Sequence, residues 1–75
     1  HPIFKAAARQ KDDLRAHLRR ILEASRPTAR AEALASALVM LIEGATLLAQ
    51  AGQGPAAIIE ARRAVSALLA APVQP

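Results

Sequence analysis

The most apolar part of this chain is a run of nineteen residues, ALASALVMLIEGATLLAQA at 33–51, which contains one charged residue, Glu43. A chain of 75 residues is short, and such chains bury only about 60% of their unfolded surface. There is no cysteine, so no disulfide compensates for a small core. The run therefore presents more apolar surface than its neighbours can cover, and we expect a second copy of the chain to cover it.

Prolines and glycines divide the sequence into three helical segments. Pro2 suits a first helical position, the residue before Pro27 is disfavoured in a helix, and Gly52 suits the left-handed position that closes one. Pro55 opens the third segment and Pro72 ends it. The predicted helices cover residues 2–24, 29–51 and 55–70. No segment alternates apolar and polar residues with a period of two, so we predict no strand.

The predicted fold class is all-α. We expect one domain, residues 1–75, of three antiparallel helices joined by short breaks and completed by a partner subunit into a helical bundle. Thr28 is expected to cap the second helix, with Glu32 in its first turn. One side of the first helix is apolar and is expected to face the core. Its residues are Ile3, Ala7, Leu14, Leu18 and Ile21, with Phe4 and Leu22 beside them.

The second and third helices carry apolar residues at helical spacing that require a further partner. In the second helix a seam at positions 34, 38, 41, 45 and 48 runs beside small residues at 33, 37, 44 and 51. Small residues let another backbone approach closely, and a two-fold interface needs self-complementary strips. The predicted dimer interface consists of Ala37, Leu41, Gly44, Leu48, Ile58, Ala61, Val65 and Leu68.

Glu43 and Gly44 are the local irregularity of the apolar run. A glycine inside a helix costs about 1 kcal/mol relative to alanine, and a carboxylate is unfavourable among apolar side chains. We interpret Gly44 as a point of close helix packing, with Glu43 reaching solvent or pairing with Arg62. A ligand contact at Glu43 is the alternative interpretation.

The net charge of +4 is concentrated at the start of the chain, since eight of the ten basic residues precede Ala31. Acidic residues are interleaved with them. The spacing predicts two ion pairs on a solvated helix face, Asp12 with Arg15 and Arg19 with Glu23. Lys11 intrudes on the apolar edge together with Arg15, and we expect both to keep their charged groups in water. A pocket for an acidic ligand is the alternative.

No set of residues indicates catalysis, so no catalytic residue, cofactor or metal is predicted. Ser25, Ser36 and Ser66 lack the glycines of a nucleophile elbow, and His1 and His17 lack the spacing of zinc ligands. The carboxylate near the middle of the apolar run, and the absence of Trp and Tyr, disfavour a membrane-spanning helix. We therefore expect a cytoplasmic protein without a membrane partner.

Four features follow one another along the chain: His1-Pro2-Ile3-Phe4 opening a long charged helix, a break at Ser25-Arg26-Pro27-Thr28, the run containing Glu43-Gly44, and a Gly-Pro break before IIEARRAVSALLA. In this order they resemble the C-terminal half of a TetR-family transcriptional regulator. The resemblance implies the dimerisation and ligand-response region of a repressor. It implies that the last two helices pair with those of a second subunit and that upstream helices enclose an effector pocket.

The resemblance also defines what this segment would not do alone. The N-terminal helix-turn-helix of that family has no counterpart here, so operator DNA would be bound only through a parent protein. The residues that bind an effector are not identified, and the apolar composition favours a hydrophobic or amphipathic small molecule. Two other classes stay open, a free-standing helical oligomerisation or adaptor module and a membrane-associated helical peptide. A helix-turn-helix upstream of this segment would distinguish the regulator from both.

Overall fold

The computed structural model describes residues 2–71, and all regular structure within that range is helical, which confirms the all-α prediction. The helices are α1 (Pro2–Glu23), α2 (Thr28–Leu48) and α3 (Gly54–Ala70). The predicted bounds differ from these by at most one residue, except at the end of α2, which was predicted at Ala51 and lies at Leu48. The predicted roles of His1 and Pro72 lie outside the described residues.

The residue that caps the start of α2 lies one position before the predicted cap. The Ala31 amide donates a 2.9 Å hydrogen bond to the Pro27 carbonyl, so Pro27 rather than Thr28 accepts the first bond of the helix. A proline suits this position because the N–H that it lacks has no partner at a helix start. With Thr28 inside the helix, the first turn holds no acidic residue, and the expected role of Glu32 there is wrong.

The break between α2 and α3 is a wide turn, Ala49–Gln53, in which Gly52 has φ 84° and ψ 12°. This left-handed backbone confirms the predicted role of Gly52, because residues with a Cβ rarely adopt it. Pro55 follows in the first turn of α3, where its missing N–H is not required for a helical bond.

The chain divides into two compact units whose boundary lies between Val39 and Met40, inside α2. The N-terminal unit contains α1 and the first part of α2, and the C-terminal unit contains the rest of α2 and α3. In each unit the two helical stretches are joined by a short break, as in helical hairpins.

The core of the N-terminal unit forms where α1 meets the start of α2. Leu22 is its one buried residue from α1, and Leu34, 2% exposed, is the largest fully buried side chain. The other buried residues are Ala31, Ala35 and Val39. Their spacing places them on one side of α2, and alanines at two of these positions allow α1 to approach closely.

The predicted core face of α1 is wrong in part. Leu14 and Leu18 are half-buried, but Ala7 is exposed, Ile3 is 70% exposed and Ile21 is 57% exposed. Phe4, which was expected beside them, is also exposed. The contact is centred on Leu22, about 100° around the helix from Ile21. Helical spacing identifies the apolar side of α1, but how much of that side is covered depends on the neighbouring helix.

Candidate functional site

The C-terminal unit carries an open apolar groove between α2 and α3, with a volume of about 320 Å³. Half of its lining is glycine or alanine, at Gly44, Ala45, Ala56, Ala57 and Ala61. The other lining residues are Met40, Leu41, Leu48, Gln53 and Glu60. We call this the Gly44 groove. Small residues of this kind leave room for another helix to approach the backbone closely.

Gly44 itself faces open space. A methyl group added at its Cα would meet no other atom within 4 Å. The glycine therefore relieves no crowding among the described residues, although it lowers the helix propensity of α2. Close packing at Gly44, as predicted, requires a partner outside the chain.

A second groove of about 410 Å³ lies beside the same helix pair and is lined by Ile58, Arg62, Val65 and Ser66 of α3. We call it the Ile58 groove. Ala45 and Ala61 line both grooves. The two grooves therefore adjoin each other at these two alanines.

The structure divides the eight residues of the predicted interface between these surfaces. Leu41, Gly44 and Leu48 line the Gly44 groove, Ile58 and Val65 line the Ile58 groove, and Ala61 belongs to both. Ala37 lies in the N-terminal unit, and Leu68 is half-buried in α3 and lines neither groove. The residues predicted for one interface thus line two grooves of the C-terminal unit, with Ala37 and Leu68 in neither.

The sequence analysis missed several residues of the Gly44 groove, in particular Met40, Ala56, Ala57 and Glu60. Met40 is 74% exposed, a large apolar side chain at the edge of a surface of small residues. The signal for Ala56 and Ala57 was available, because these small residues directly follow Pro55 and start the helix that packs on α2.

The N-terminal unit has a charged groove of about 320 Å³, lined by Asp12, Arg15, Arg19, Glu32 and Ser36 together with Ala16. Both predicted ion pairs are confirmed, with nitrogen–oxygen distances of 3.0 Å for Arg15–Asp12 and 3.5 Å for Arg19–Glu23. A third pair, Arg19 with Glu32 at 3.9 Å, joins α1 to α2 and was not predicted. The groove thus contains equal numbers of opposite charges, which pair with one another.

The described residues contain no group of three or more His, Cys, Asp or Glu side chains positioned to hold a metal ion. His17 is exposed on α1. The predicted partner of Glu43, Arg62, lines the edge of the Ile58 groove and is exposed.

The helical stretch Thr28–Ala70 contains one segment that is long and apolar enough to cross a membrane, by length and composition alone. Its mean hydropathy is 1.6, and 22% of that segment is buried within the protein.

Comparison with known proteins identifies no relative: no family model, no curated protein and no solved structure matches this chain.

Proposed function

We propose that this chain is a non-catalytic self-association module that serves as the dimerisation and ligand-response region of a TetR-like transcriptional repressor. The observation that carries the first part is the open Gly44 groove, in which small residues lie beside large exposed apolar side chains. The second part rests on the resemblance of the sequence to the C-terminal half of that family.

The exposed apolar side chains of the C-terminal unit are too numerous for a chain that stays monomeric in water. They include Met40, Leu48, Ile58 and Ile59, each at least 44% exposed. Single exposed apolar residues are ordinary, but contiguous groups of them mark interaction surfaces. Met40 and Leu48 line the same groove, so we expect that surface to bind an apolar partner.

A second copy is the partner that best fits the Gly44 groove. In a two-fold interface the same patch occurs on both subunits, so the patch must contain both protrusions and depressions. The groove has both, since Met40 and Leu48 are large and exposed while Gly44 and Ala56 are small. A two-fold axis through the groove would place each copy's large side chains against the other copy's small ones.

We expect the chain to sediment as a dimer at tens of micromolar, because the paired grooves remove these apolar side chains from water. Analytical ultracentrifugation over a hundredfold range of concentration measures the association constant. A chain that stays monomeric across this range contradicts the self-association proposal.

The proposed regulatory role would depend on the geometry of operator DNA. A dimer binds two half-sites about 34–36 Å apart, one turn of the double helix, so the interface sets the separation of the two reading domains. An effector that shifts helices beside the interface changes operator affinity without contacting DNA.

We expect the full-length parent protein to bind a specific operator, with an affinity that changes when a hydrophobic effector is added, and this chain alone to bind none. Fluorescence anisotropy with labelled duplexes measures both. Sequence-specific binding by the isolated chain contradicts the assignment. A dimeric parent that does not bind DNA would instead support an adaptor or oligomerisation module, because self-association would remain while the regulator assignment fails.

A further inference from the structure

The start of α1 is an amphipathic surface that the rest of the chain leaves uncovered. Residues 2–10 are all exposed, and Ile3 and Phe4 are the most exposed large apolar residues of the N-terminal unit, at 70% and 75%. At about 100° per residue, Ile3, Phe4 and Ala7 share one side of the helix. These residues were expected on the core face of α1, and they are exposed instead.

The same turns carry positive charge only. Lys5, Arg9 and Lys11 are the charged residues between positions 2 and 11, and the first acidic residue is Asp12. Farther along α1, Asp12 pairs with Arg15 and Glu23 pairs with Arg19. Acidic residues are therefore interleaved with basic ones from Asp12 onwards and are absent from residues 2–10.

Ile3, Phe4 and Ala7 lie on one side of the helix and Lys5 and Arg9 lie on the other, while Lys11 lies at the apolar edge. An apolar side opposite a cationic side is typical of a helix that lies in the interface of an anionic membrane. Aliphatic and phenyl groups enter the boundary of the acyl chains, while lysine and arginine keep their charged ends among the headgroups. Nucleic acid is a poorer match, because Ile3 and Phe4 would gain nothing from contact with phosphates.

We propose that the start of α1, residues 2–10, docks on an anionic lipid surface, with Ile3 and Phe4 in the acyl boundary and Lys5 and Arg9 among the headgroups. The expectation of no membrane partner concerned a spanning helix and depended on the carboxylate of Glu43 and on the absence of Trp and Tyr. A helix that lies on the surface does not place that carboxylate in lipid. The proposal does not depend on self-association through the Gly44 groove.

A single tryptophan tests the docking directly, because the chain has no Trp or Tyr. In Phe4→Trp, vesicles of phosphatidylcholine mixed with phosphatidylglycerol should shift the emission to shorter wavelength and protect it from acrylamide. Vesicles of phosphatidylcholine alone should do neither. Ile59→Trp, at an exposed position of α3, is the matched reporter and should be unchanged by either kind of vesicle.

Two pairs of substitutions separate the apolar and the charged contributions in vesicle co-sedimentation. Ile3→Ser with Phe4→Ser should lower the partition coefficient at least about tenfold, through lost apolar burial. Lys5→Glu with Arg9→Glu should also lower it at least about tenfold, and added salt should weaken binding. Arg62→Glu with Arg63→Glu makes the same change of net charge on α3 and should leave binding close to wild type. Circular dichroism checks that each variant stays helical.

Three results would overturn the proposal. Equal loss of binding in the α3 charge variant would show that only total charge matters. Unchanged binding in the Ile3/Phe4 variant, with polyglutamate competing for the chain, would identify an acidic partner rather than lipid. Binding to neutral vesicles that Leu47→Ser abolishes would assign membrane affinity to the apolar run of α2.

Discussion

Replacement of Gly44 by leucine is expected to convert the self-associated chain into a monomer at tens of micromolar. The site is open in the single chain, since nothing lies within 4 Å of an added Cβ, so leucine should not disturb the fold of α2. Between two copies the leucine would occupy the space through which the partner approaches. We expect the dissociation constant to rise at least about 100-fold, measured by sedimentation velocity.

Gly44→Ala makes the same test sharper because its two expected effects have opposite signs. Alanine should stabilise the helix of the single chain by about 1 kcal/mol. It should nevertheless weaken association, because the added methyl group separates the two backbones. Ala33→Leu is the control for size, since Ala33 is exposed on the same helix and lines neither groove. Equal dissociation by Ala33→Leu, or a dimer that tolerates Gly44→Leu, would contradict an interface at the Gly44 groove.

The positions of the helices could be predicted from the sequence because the signals that end a helix are local. Each of these signals needs only one or two residues. Gly52 adopts the left-handed backbone, and α3 starts at Gly54. The ion pairs within α1 are local in the same sense, since residues three or four apart are neighbours on any helix. The predicted cap of α2 was wrong by one residue. A proline carbonyl accepts the first hydrogen bond of the helix, although proline is not a residue that favours the cap position.

The faces of the helices could be predicted only in part, because the rotation of one helix against another is not a local property. Apolar spacing in α1 includes both Ile21 and Leu22, and packing against α2 buries Leu22 and leaves Ile21 exposed. In the C-terminal unit, Ala45 and Ala61 lie where α2 meets α3. Leu41 and Ile58, which spacing alone assigns to one interface, therefore line different grooves.

The same dependence on helix rotation limits the prediction of the candidate surfaces. Sequence alone identified more apolar surface than the chain can bury, and the exposed Met40 and Ile59 agree with that excess. It could not identify where the excess would lie, because a residue that is apolar and helical is suitable for either a core or an interface. The exposure of Ile3 and Phe4, which were assigned to the core, is the clearest case.

Replacement of Leu34 by alanine is expected to cause the largest loss of stability of any single truncation in α2. Leu34 is 2% exposed, and truncation of a buried leucine costs about 2–5 kcal/mol because it removes apolar burial and leaves a cavity. A core of this size supplies only about 3–5 kcal/mol, so much of the protein would unfold at room temperature.

Leu47→Ala is the control, with the same change on the same helix at a 67% exposed position. Thermal unfolding followed by circular dichroism at one protein concentration should show a midpoint lowered by about 10 °C or more for Leu34→Ala and little change for Leu47→Ala. Equal midpoints for the two variants would show that the packing of α1 on α2 does not hold the N-terminal unit together.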